Sequence, residues 1–146
     1  MGWAGCVARE ASYALPVSHD LQAPGPGLLA FLTERHLATL TTLRADGSPH
    51  VVPVGVTYDA ATRTARVITS GTSLKARHVR DRQGRVAVCQ VDGRGWVTLE
   101  GTAVVRADPV SVADAVARYA VRYRQPRENP ARVVLEISVD RLLGNG

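Results

Sequence analysis

Short stretches that alternate apolar and polar residues dominate the chain and predict β-strands. The turn signal Ala45-Asp46-Gly47-Ser48 separates the first two stretches, and a second turn around residues 59–63 leads into the third. Consecutive strands joined by such turns form an antiparallel meander. Gly101 interrupts the fifth stretch and predicts a bulge of the kind that closes barrels. Six strands are predicted, over residues 36–44, 49–58, 64–70, 85–91, 96–106 and 132–139.

Three other segments carry the signals of helices. We predict a short helix over residues 28–35, a second over residues 74–82 after the N-cap Ser73, and a third over residues 109–123 after the N-cap Asp108. Because helices and strands do not alternate regularly, a parallel α/β sheet is excluded. The predicted fold class is α+β, mainly β with helices at the corners, arranged as a small antiparallel barrel.

Length and composition indicate one ordinary globular domain. The chain has 146 residues, of which 45% are hydrophobic and 21% charged. Residues 1–26 show no sustained period, so we expect a mobile tail before a domain over residues 27–146. No apolar run is long enough for a membrane span or a signal peptide, which predicts a cytoplasmic protein without a membrane partner. Cys6 and Cys89 predict no disulfide framework, and no residue spacing predicts a metal site.

The formal net charge is +5, and Lys75 is the only lysine among 18 basic residues. Two explanations of the arginine excess remain open: a GC-rich genome, or binding to an anionic ligand or nucleic acid, for which guanidinium groups are suited. The chain contains none of the nucleophile-elbow, phosphate-loop, dinucleotide or zinc-helix motifs. An enzyme with this sequence would therefore take its chemistry from a cofactor, and we predict no catalytic side chain.

The segment from Thr69 to His78 is the most informative part of the sequence. A strand end there leads into a helix start that carries hydroxyl groups, free backbone N–H groups and two cations. Such a helix N-terminus is suited to hold a phosphate. The alternative is an ordinary serine cap with solvated cations. The candidate anion-site residues are Thr69, Ser70, Ser73, Leu74, Lys75 and Arg77.

Two further segments offer alternatives. The strand over residues 49–55 contains two prolines and a glycine, which indicates either a surface for a flat ring or an edge strand. Within it, His50 is either a core or surface histidine or a functional one. Trp96 is either a core anchor or a subunit-interface residue. The arginines at the end of the third helix form either a solvated face or a site for acidic groups; they are Arg118, Arg122, Arg124 and Arg127.

Four motifs in this order resemble a known family. They are HLATLTTLRADGSPH over residues 36–50, SLKAR over 73–77, WVTLEG over 96–101 and RYR over 122–124. Together they resemble the flavin and deazaflavin oxidoreductases, the split β-barrel relatives of pyridoxamine 5′-phosphate oxidase. The likeness extends from about Leu28 to Leu143. Within the family it is strongest to the F420-dependent biliverdin reductases.

The resemblance implies a six-stranded antiparallel split β-barrel of the FMN-binding type. It also implies a homodimer with the cofactor in a groove between two barrels. In this family a lysine at the position of Lys75 binds the cofactor phosphate, and many relatives carry an asparagine where this chain has His78. The resemblance assigns cofactor contacts to Pro49, His50, Val52, Pro53, Val54, Thr69, Ser70, Ser73, Leu74, Lys75, Arg77 and Trp96.

The implied activity is hydride transfer from reduced coenzyme F420 to a conjugated acceptor, with biliverdin reduced to bilirubin. Arg118, Arg122, Arg124 and Arg127 are then candidates for the acidic tail of the coenzyme or the propionates of the substrate. The alternatives are an FMN-dependent oxidoreductase of the pyridoxamine-phosphate-oxidase kind and a non-enzymatic carrier of haem, tetrapyrrole or coenzyme. Because the arginines are interleaved with acids along the chain, we expect no nucleic-acid partner.

Overall fold

The computed structural model describes residues 17–82 and 84–145. Three helices lie in this part of the chain: α1 (Pro26–Thr33), α2 (Leu74–Arg82) and α3 (Pro109–Arg122). None of them is long and apolar enough to cross a bilayer. The strands are β1 (Val17–Ser18), β2 (Ala38–Leu43), β3 (Pro49–Val54), β4 (Thr57–Asp59), β5 (Thr64–Ser70), β6 (Arg85–Asp92), β7 (Gly95–Arg106) and β8 (Arg132–Gly144).

All strands belong to one antiparallel sheet, in the order β3-β2-β6-β7-β8-β5-β4, with β1 paired to β8. The two strands at the ends of this order, β3 and β4, are separated in the chain only by Gly55 and Val56, so the sheet must curl on itself. Apolar residues fill its interior; among the most deeply buried are Leu28, Leu40, Val56, Val67, Val88, Leu99, Leu135, Ile137 and Leu142. The predicted antiparallel α+β class is confirmed.

The prediction of six strands was wrong, because the described chain contains eight. The predicted strand over residues 49–58 divides into β3 and β4 at Gly55 and Val56. Val56 is buried, but its backbone groups bond to α3 and not to a strand: its N–H donates to the Tyr123 hydroxyl at 3.1 Å, and its carbonyl accepts from Arg122 at 2.6 Å. At Val56, hydrogen bonds to side chains distant in sequence therefore take the place of backbone hydrogen bonds between strands. The eighth strand is β1.

Part of the predicted tail lies against the barrel. Residues 1–16 lie outside the described residues, so the prediction of a mobile segment there stays a prediction. Residues 17–26 follow a different course: Val17 pairs with Gly144, and the backbone N–H of His19 donates to Leu142 at 2.9 Å. Pro26 already begins α1. Edge pairing with β8 thus places the start of this segment against the barrel.

Three local predictions are confirmed. Asp108 caps α3 by accepting from the backbone N–H of Ser111 at 2.9 Å. Ser73 caps α2, since its hydroxyl oxygen accepts from the N–H of Ala76 at 3.3 Å. The register between β7 and β8 shifts at Gly101, where the backbone of Ser138 leaves no room for a Cβ atom. This bulge lets β7 bend around the barrel.

Candidate functional site

A cleft of about 280 Å³ opens where the N-terminus of α2 meets the ends of β3 and β5 and the chain that follows α3. Lys75 enters it from the first turn of α2, and Arg132 from the start of β8. The other lining residues are Pro53, Val54, Gly55, Ile68, Thr69, Ser70, Tyr119, Pro126 and Asn129. Among the described residues, two cations and no carboxylate thus line the cleft.

Burial lowers the pKa of the Lys75 ammonium, and no nearby carboxylate of the described chain offsets this effect. A half-buried cation without a counter-ion is stabilised by a bound anion, which restores the interactions lost with water. Hydroxyl groups at the start of α2 add further donors. The Thr69 hydroxyl donates to Ser73 at 3.1 Å, and the hydroxyls of Ser70 and Thr72 lie 3.1 Å apart. This arrangement suits a phosphate group.

The structure brings part of the predicted site together. Pro53, Val54, Thr69, Ser70 and Lys75 line the cleft. Ser73 lies beneath it as the helix cap, whereas Leu74 and Arg77 are exposed beside it and do not line it. The edge-strand reading of the proline-bearing strand holds, because β3 ends the strand order and pairs with β2. Its last two residues form a wall of the cleft, and a flat ring against them stays a prediction.

Near the start of β3, His50 belongs to a small polar cluster with His78 and Thr42. Its ring meets that of His78 edge to face, with 5.1 Å between the centroids. His78 in turn lies 2.9 Å from the hydroxyl of Thr42, measured from Nδ1. Burial lowers the pKa of His50, and the positive charges of His78, Arg44 and Lys75 lower it further. The remaining predicted β3 residues are Pro49, directly before His50, and Val52, two residues after it. Like His50, they do not line the cleft.

Arg122 does not face the cleft, which corrects its assignment to an acidic ligand. The residue is only 9% exposed, and its guanidinium donates hydrogen bonds to groups in the interior of the barrel. It donates to the carbonyl of Glu34 at 2.9 Å and to that of Val56 at 2.6 Å. Nη2 donates to the side-chain oxygen of Gln90 at 2.6 Å and to the carbonyl of Phe31 at 3.5 Å. These bonds hold the end of α1 against β4 and β6.

The other predicted arginines separate into two groups. Arg118 does not line the cleft but a separate cavity beside Tyr58, and it pairs with Asp114 at 2.9 Å and Asp59 at 3.4 Å. Its charge is therefore already compensated. Arg124 and Arg127 line a second cavity of about 370 Å³ together with Tyr119, Gln125 and Pro126. Since Tyr119 and Pro126 also line the first cleft, the two cavities are neighbours.

Trp96 lies far from Lys75 within one chain. It pairs with Val91 near the turn between β6 and β7, and the neighbouring Val97 pairs with Gly144 at the end of β8. The cleft, in contrast, adjoins Arg132 at the beginning of β8. Trp96 therefore lines no cavity described above and contacts a ligand at Lys75 only if a second chain supplies it.

A surface of mostly apolar and hydroxyl-bearing residues adjoins the cleft, and the charged residues Arg85 and Glu100 border it. It is formed by outward-facing residues of four neighbouring strands, and we call it the outer sheet face. Leu43 is 42% exposed there, Val51 56% and Val91 60%, so the face presents several apolar side chains to water. Pro53 belongs both to this face and to the cleft. Its members are Thr39, Thr41, Leu43, Pro49, Val51, Pro53, Ala87, Cys89, Val91, Trp96 and Thr98.

Reasoning from the sequence missed three polar residues of the cleft: Tyr119, Asn129 and Arg132. Tyr119 belongs to the basic, aromatic helix end, of which the predicted site includes only the arginines. Asn129 lies in a turn and Arg132 directly after it. Polar residues are common at turns because they bond to the nearby backbone, so their presence there did not indicate a site. The glycine at position 55 is the one signal in the sequence that points to Tyr119, since it marks a close approach of another group to the backbone.

The antiparallel barrel that carries this cleft is the fold of a known class of proteins. Residues 26–145 match the family described as pyridoxamine 5′-phosphate oxidase. The chain belongs to this family, and the resemblance noted from its motifs is confirmed.

One relative is an F420H2-dependent biliverdin reductase of Mycobacterium tuberculosis. It is 59% identical over 117 residues, which are 80% of this chain and 85% of the relative. This relative is of the kind that the motifs indicated.

Solved structures show the same fold. A conserved hypothetical protein of Mycobacterium tuberculosis superposes with a TM-score of 0.70 at 21% identity, over 88% of this chain and 89% of that one. A protein named F420 reductase superposes with a TM-score of 0.63 at 20% identity, over 77% of this chain and 93% of that one. At these identities the comparison establishes the split-barrel fold and nothing finer.

Proposed function

We propose that this protein is an oxidoreductase that uses reduced coenzyme F420 to reduce biliverdin to bilirubin. The observation that carries the proposal is Lys75, a half-buried cation without a carboxylate partner, in a cleft with hydroxyl groups and a second cation. The 59% identical F420H2-dependent biliverdin reductase supports the choice of coenzyme and substrate.

The residues of the cleft fit a phosphorylated coenzyme. Lys75 and Arg132 supply positive charge, and Ser70 and the backbone at the start of α2 supply neutral donors. Pro53 and Val54 form an apolar wall beside them. Pro53 has no N–H to leave unpaired when a ring lies against the strand. The cleft thus combines an anion site with a surface for an aromatic system.

The bound deazaflavin supplies a hydride from carbon 5, so no nucleophile or metal ligand is required of the protein. The task of this chain is to position the two reactants at a separation of about 3–3.5 Å and to exclude water from between them. Reduction of biliverdin adds a hydride to the central methine carbon and a proton to a pyrrole nitrogen. We assign that proton to solvent or to a nearby arginine.

We propose further that the protein is a homodimer whose interface is the outer sheet face. Val51 and Val91 lose their exposure to water in such a dimer, which favours association. Because Pro53 joins this face to the cleft, a second chain seated there lies beside the coenzyme. Trp96 then reaches the coenzyme of the partner chain, in agreement with its place on the same face.

We assign the second cavity to acidic groups. Arg124 and Arg127 line it, and the cleft that holds Lys75 adjoins it at Tyr119 and Pro126. Guanidinium groups pair well with carboxylates. Both the oligoglutamate tail of the coenzyme and the propionates of biliverdin carry such groups, and Arg124 and Arg127 serve whichever end enters this cavity.

Turnover tests the proposal directly. Purified protein is incubated with biliverdin and, in parallel, with reduced F420, reduced FMN or NADPH, and the loss of reduced coenzyme and the formation of bilirubin are followed by absorbance. We expect bilirubin with F420H2 alone. Turnover with FMN alone identifies an FMN-dependent enzyme, and binding of both ligands without oxidation of the coenzyme identifies a carrier.

A further inference from the structure

Tyr119 occupies the boundary between the two cavities. It lies in the last turn of α3 and lines both the cleft that contains Lys75 and the cavity that contains Arg124 and Arg127. A ligand that extends from one cavity into the other must therefore pass this side chain. Among the described residues, Pro126 is the other one that lines both cavities.

The ring of Tyr119 is held in place from two sides. A Cβ atom at position 55 would lie 2.6 Å from its Cε2, so glycine is what allows the ring to rest against the backbone. The ring of Tyr123 packs against it with 4.8 Å between the centroids and 32° between the planes. Tyr123 is itself anchored, because its hydroxyl donates to the carbonyl of His36 at 2.6 Å. Tyr119 thus rests on a rigid support.

The hydroxyl of Tyr119 is free to bind a ligand. No hydrogen bond to it is formed within residues 17–82 and 84–145, and it is not among their buried unpartnered groups. The neighbouring Tyr123 differs in this respect, since its hydroxyl is consumed by backbone groups. A pinned aromatic ring with an available hydroxyl, next to two arginines, complements a flat conjugated molecule that carries carboxylates.

We propose that Tyr119 is the residue that binds and orients the acceptor. Its ring stacks on the conjugated system of the acceptor, and its hydroxyl forms a hydrogen bond to it. This inference rests on the proposed function, because biliverdin, a linear tetrapyrrole with two propionates, is the acceptor it concerns. The phosphate of the coenzyme is assigned to Lys75, in the cleft that Tyr119 also lines, so the affinities for the two ligands are measured separately.

Variants at position 119 separate the ring from the hydroxyl. Tyr119→Leu removes the aromatic face, and Tyr119→Phe removes the hydroxyl alone. Tyr58→Phe is the matched control, because it removes a tyrosine hydroxyl on β4 that lies outside both cavities. Circular dichroism and thermal unfolding verify that each variant is folded.

Two affinities are measured for every variant. The affinity for biliverdin is taken as Kd from absorbance titration of the protein without coenzyme, and as KM in turnover. The affinity for the coenzyme is taken as Kd from deazaflavin fluorescence. We expect Tyr119→Leu to raise the biliverdin Kd and KM at least about tenfold, as for loss of a stacking partner. Tyr119→Phe raises them about threefold to fivefold, as for loss of one hydrogen bond. In both variants the biliverdin Kd rises by a larger factor than the coenzyme Kd, and all constants of Tyr58→Phe stay as in the wild type.

An unchanged biliverdin Kd and KM in Tyr119→Leu overturn the inference, as does a rise confined to the coenzyme Kd. Failure of the proposed function looks different: the wild type then neither binds the deazaflavin nor reduces biliverdin with it. In that case the titration of biliverdin without coenzyme still decides about Tyr119, since it needs no turnover. A wild type that fails to bind biliverdin in either assay overturns both proposals.

Discussion

The guanidinium of Arg122 and the side-chain amide of Gln90 form a hydrogen bond of 2.6 Å in the interior of the barrel, where both residues are at least nine-tenths buried. The amide of Gln90 also donates to the carbonyl of Phe31 at 2.6 Å, so the pair connects β6, α1 and α3. A buried cation here is neutralised by oxygen dipoles from several elements and not by a carboxylate.

Removing this cation should destabilise the fold. In Arg122→Met the carbonyl of Glu34 and the Gln90 oxygen lose their donor, and the carbonyl of Val56 keeps only the Tyr123 hydroxyl, so we expect the free energy of unfolding to fall by about 3–5 kcal/mol. Urea unfolding measures the change. Arg118→Met is the control, because Arg118 forms exposed ion pairs that contribute about 0–1 kcal/mol. Equal losses in the two variants would contradict the role given to Arg122.

Lys75 should determine affinity for the coenzyme. Lys75→Ala removes a charge-assisted contact to phosphate, and we expect binding to weaken by about 1–3 kcal/mol. Because the ammonium is half-buried without a carboxylate partner, its loss should leave the melting temperature unchanged or raise it. Fluorescence titration with the deazaflavin gives the Kd, and Lys75→Arg serves as the charge-conserving control. An unchanged Kd in Lys75→Ala would show that the phosphate does not bind in this cleft.

A charge on the outer sheet face should dissociate the dimer. Val51→Glu places a carboxylate amid apolar groups of two chains, where desolvation of an unpaired charge costs several kcal/mol. We expect a monomer by light scattering coupled to gel filtration, with weakened coenzyme binding. The control is Val110→Glu on α3, a residue that is 80% exposed and lies outside this face. Dimers of unchanged stability in Val51→Glu rule out this interface.

Stability should decrease in mild acid because of His50. Its pKa is lowered in the folded protein, by burial and by the charges of His78, Arg44 and Lys75, while the unfolded chain keeps the ordinary value near 6.5. Below that value the unfolded state binds more protons than the folded state, so the free energy of unfolding falls as the pH falls. Melting temperatures between pH 7.5 and 5.5 should show a shallower slope in His50→Gln than in the wild type. Parallel slopes contradict this assignment.

Gly55 should be essential for the position of Tyr119. In Gly55→Ala the new Cβ lies 2.6 Å from Cε2 of that ring, so the ring must move. We expect the KM for biliverdin to rise as in Tyr119→Leu. Gly27→Ala is the matched control: it lies in α1 with no atom within 4 Å of the added Cβ, and it should stabilise the fold by about 0.5–1 kcal/mol without altering KM. Steady-state kinetics and thermal unfolding distinguish the two outcomes.

Local signals were sufficient for much of the fold and for one part of the site. The caps Asp108 and Ser73, the bulge at Gly101 and the strand-to-helix segment around Lys75 follow from residues that are close in sequence. The same reasoning was wrong for the strand over residues 49–58. There, the deciding contacts come from Tyr123 and Arg122, more than sixty residues later in the chain.

The arginines at the end of α3 illustrate the same limit. Spacing on a helix places Arg118 and Arg122 on one face, but it does not tell whether that face meets water, a ligand or the core. The structure turns Arg122 inward, pairs Arg118 with Asp59 and Asp114, and leaves Arg124 and Arg127 in a cavity. Equal side chains at neighbouring positions therefore have three different environments.

The amino-acid sequence by itself determined the antiparallel α+β class, the family and the position of Lys75 at the start of a helix, because alternation, caps and motifs depend on residues near one another in the chain. Only the tertiary structure decided that Tyr119 stands between two cavities on Gly55, that Arg122 is a core residue and that Trp96 is remote from Lys75. These relations arise from the curling of the sheet, which brings together groups whose separation along the chain carries no local signal.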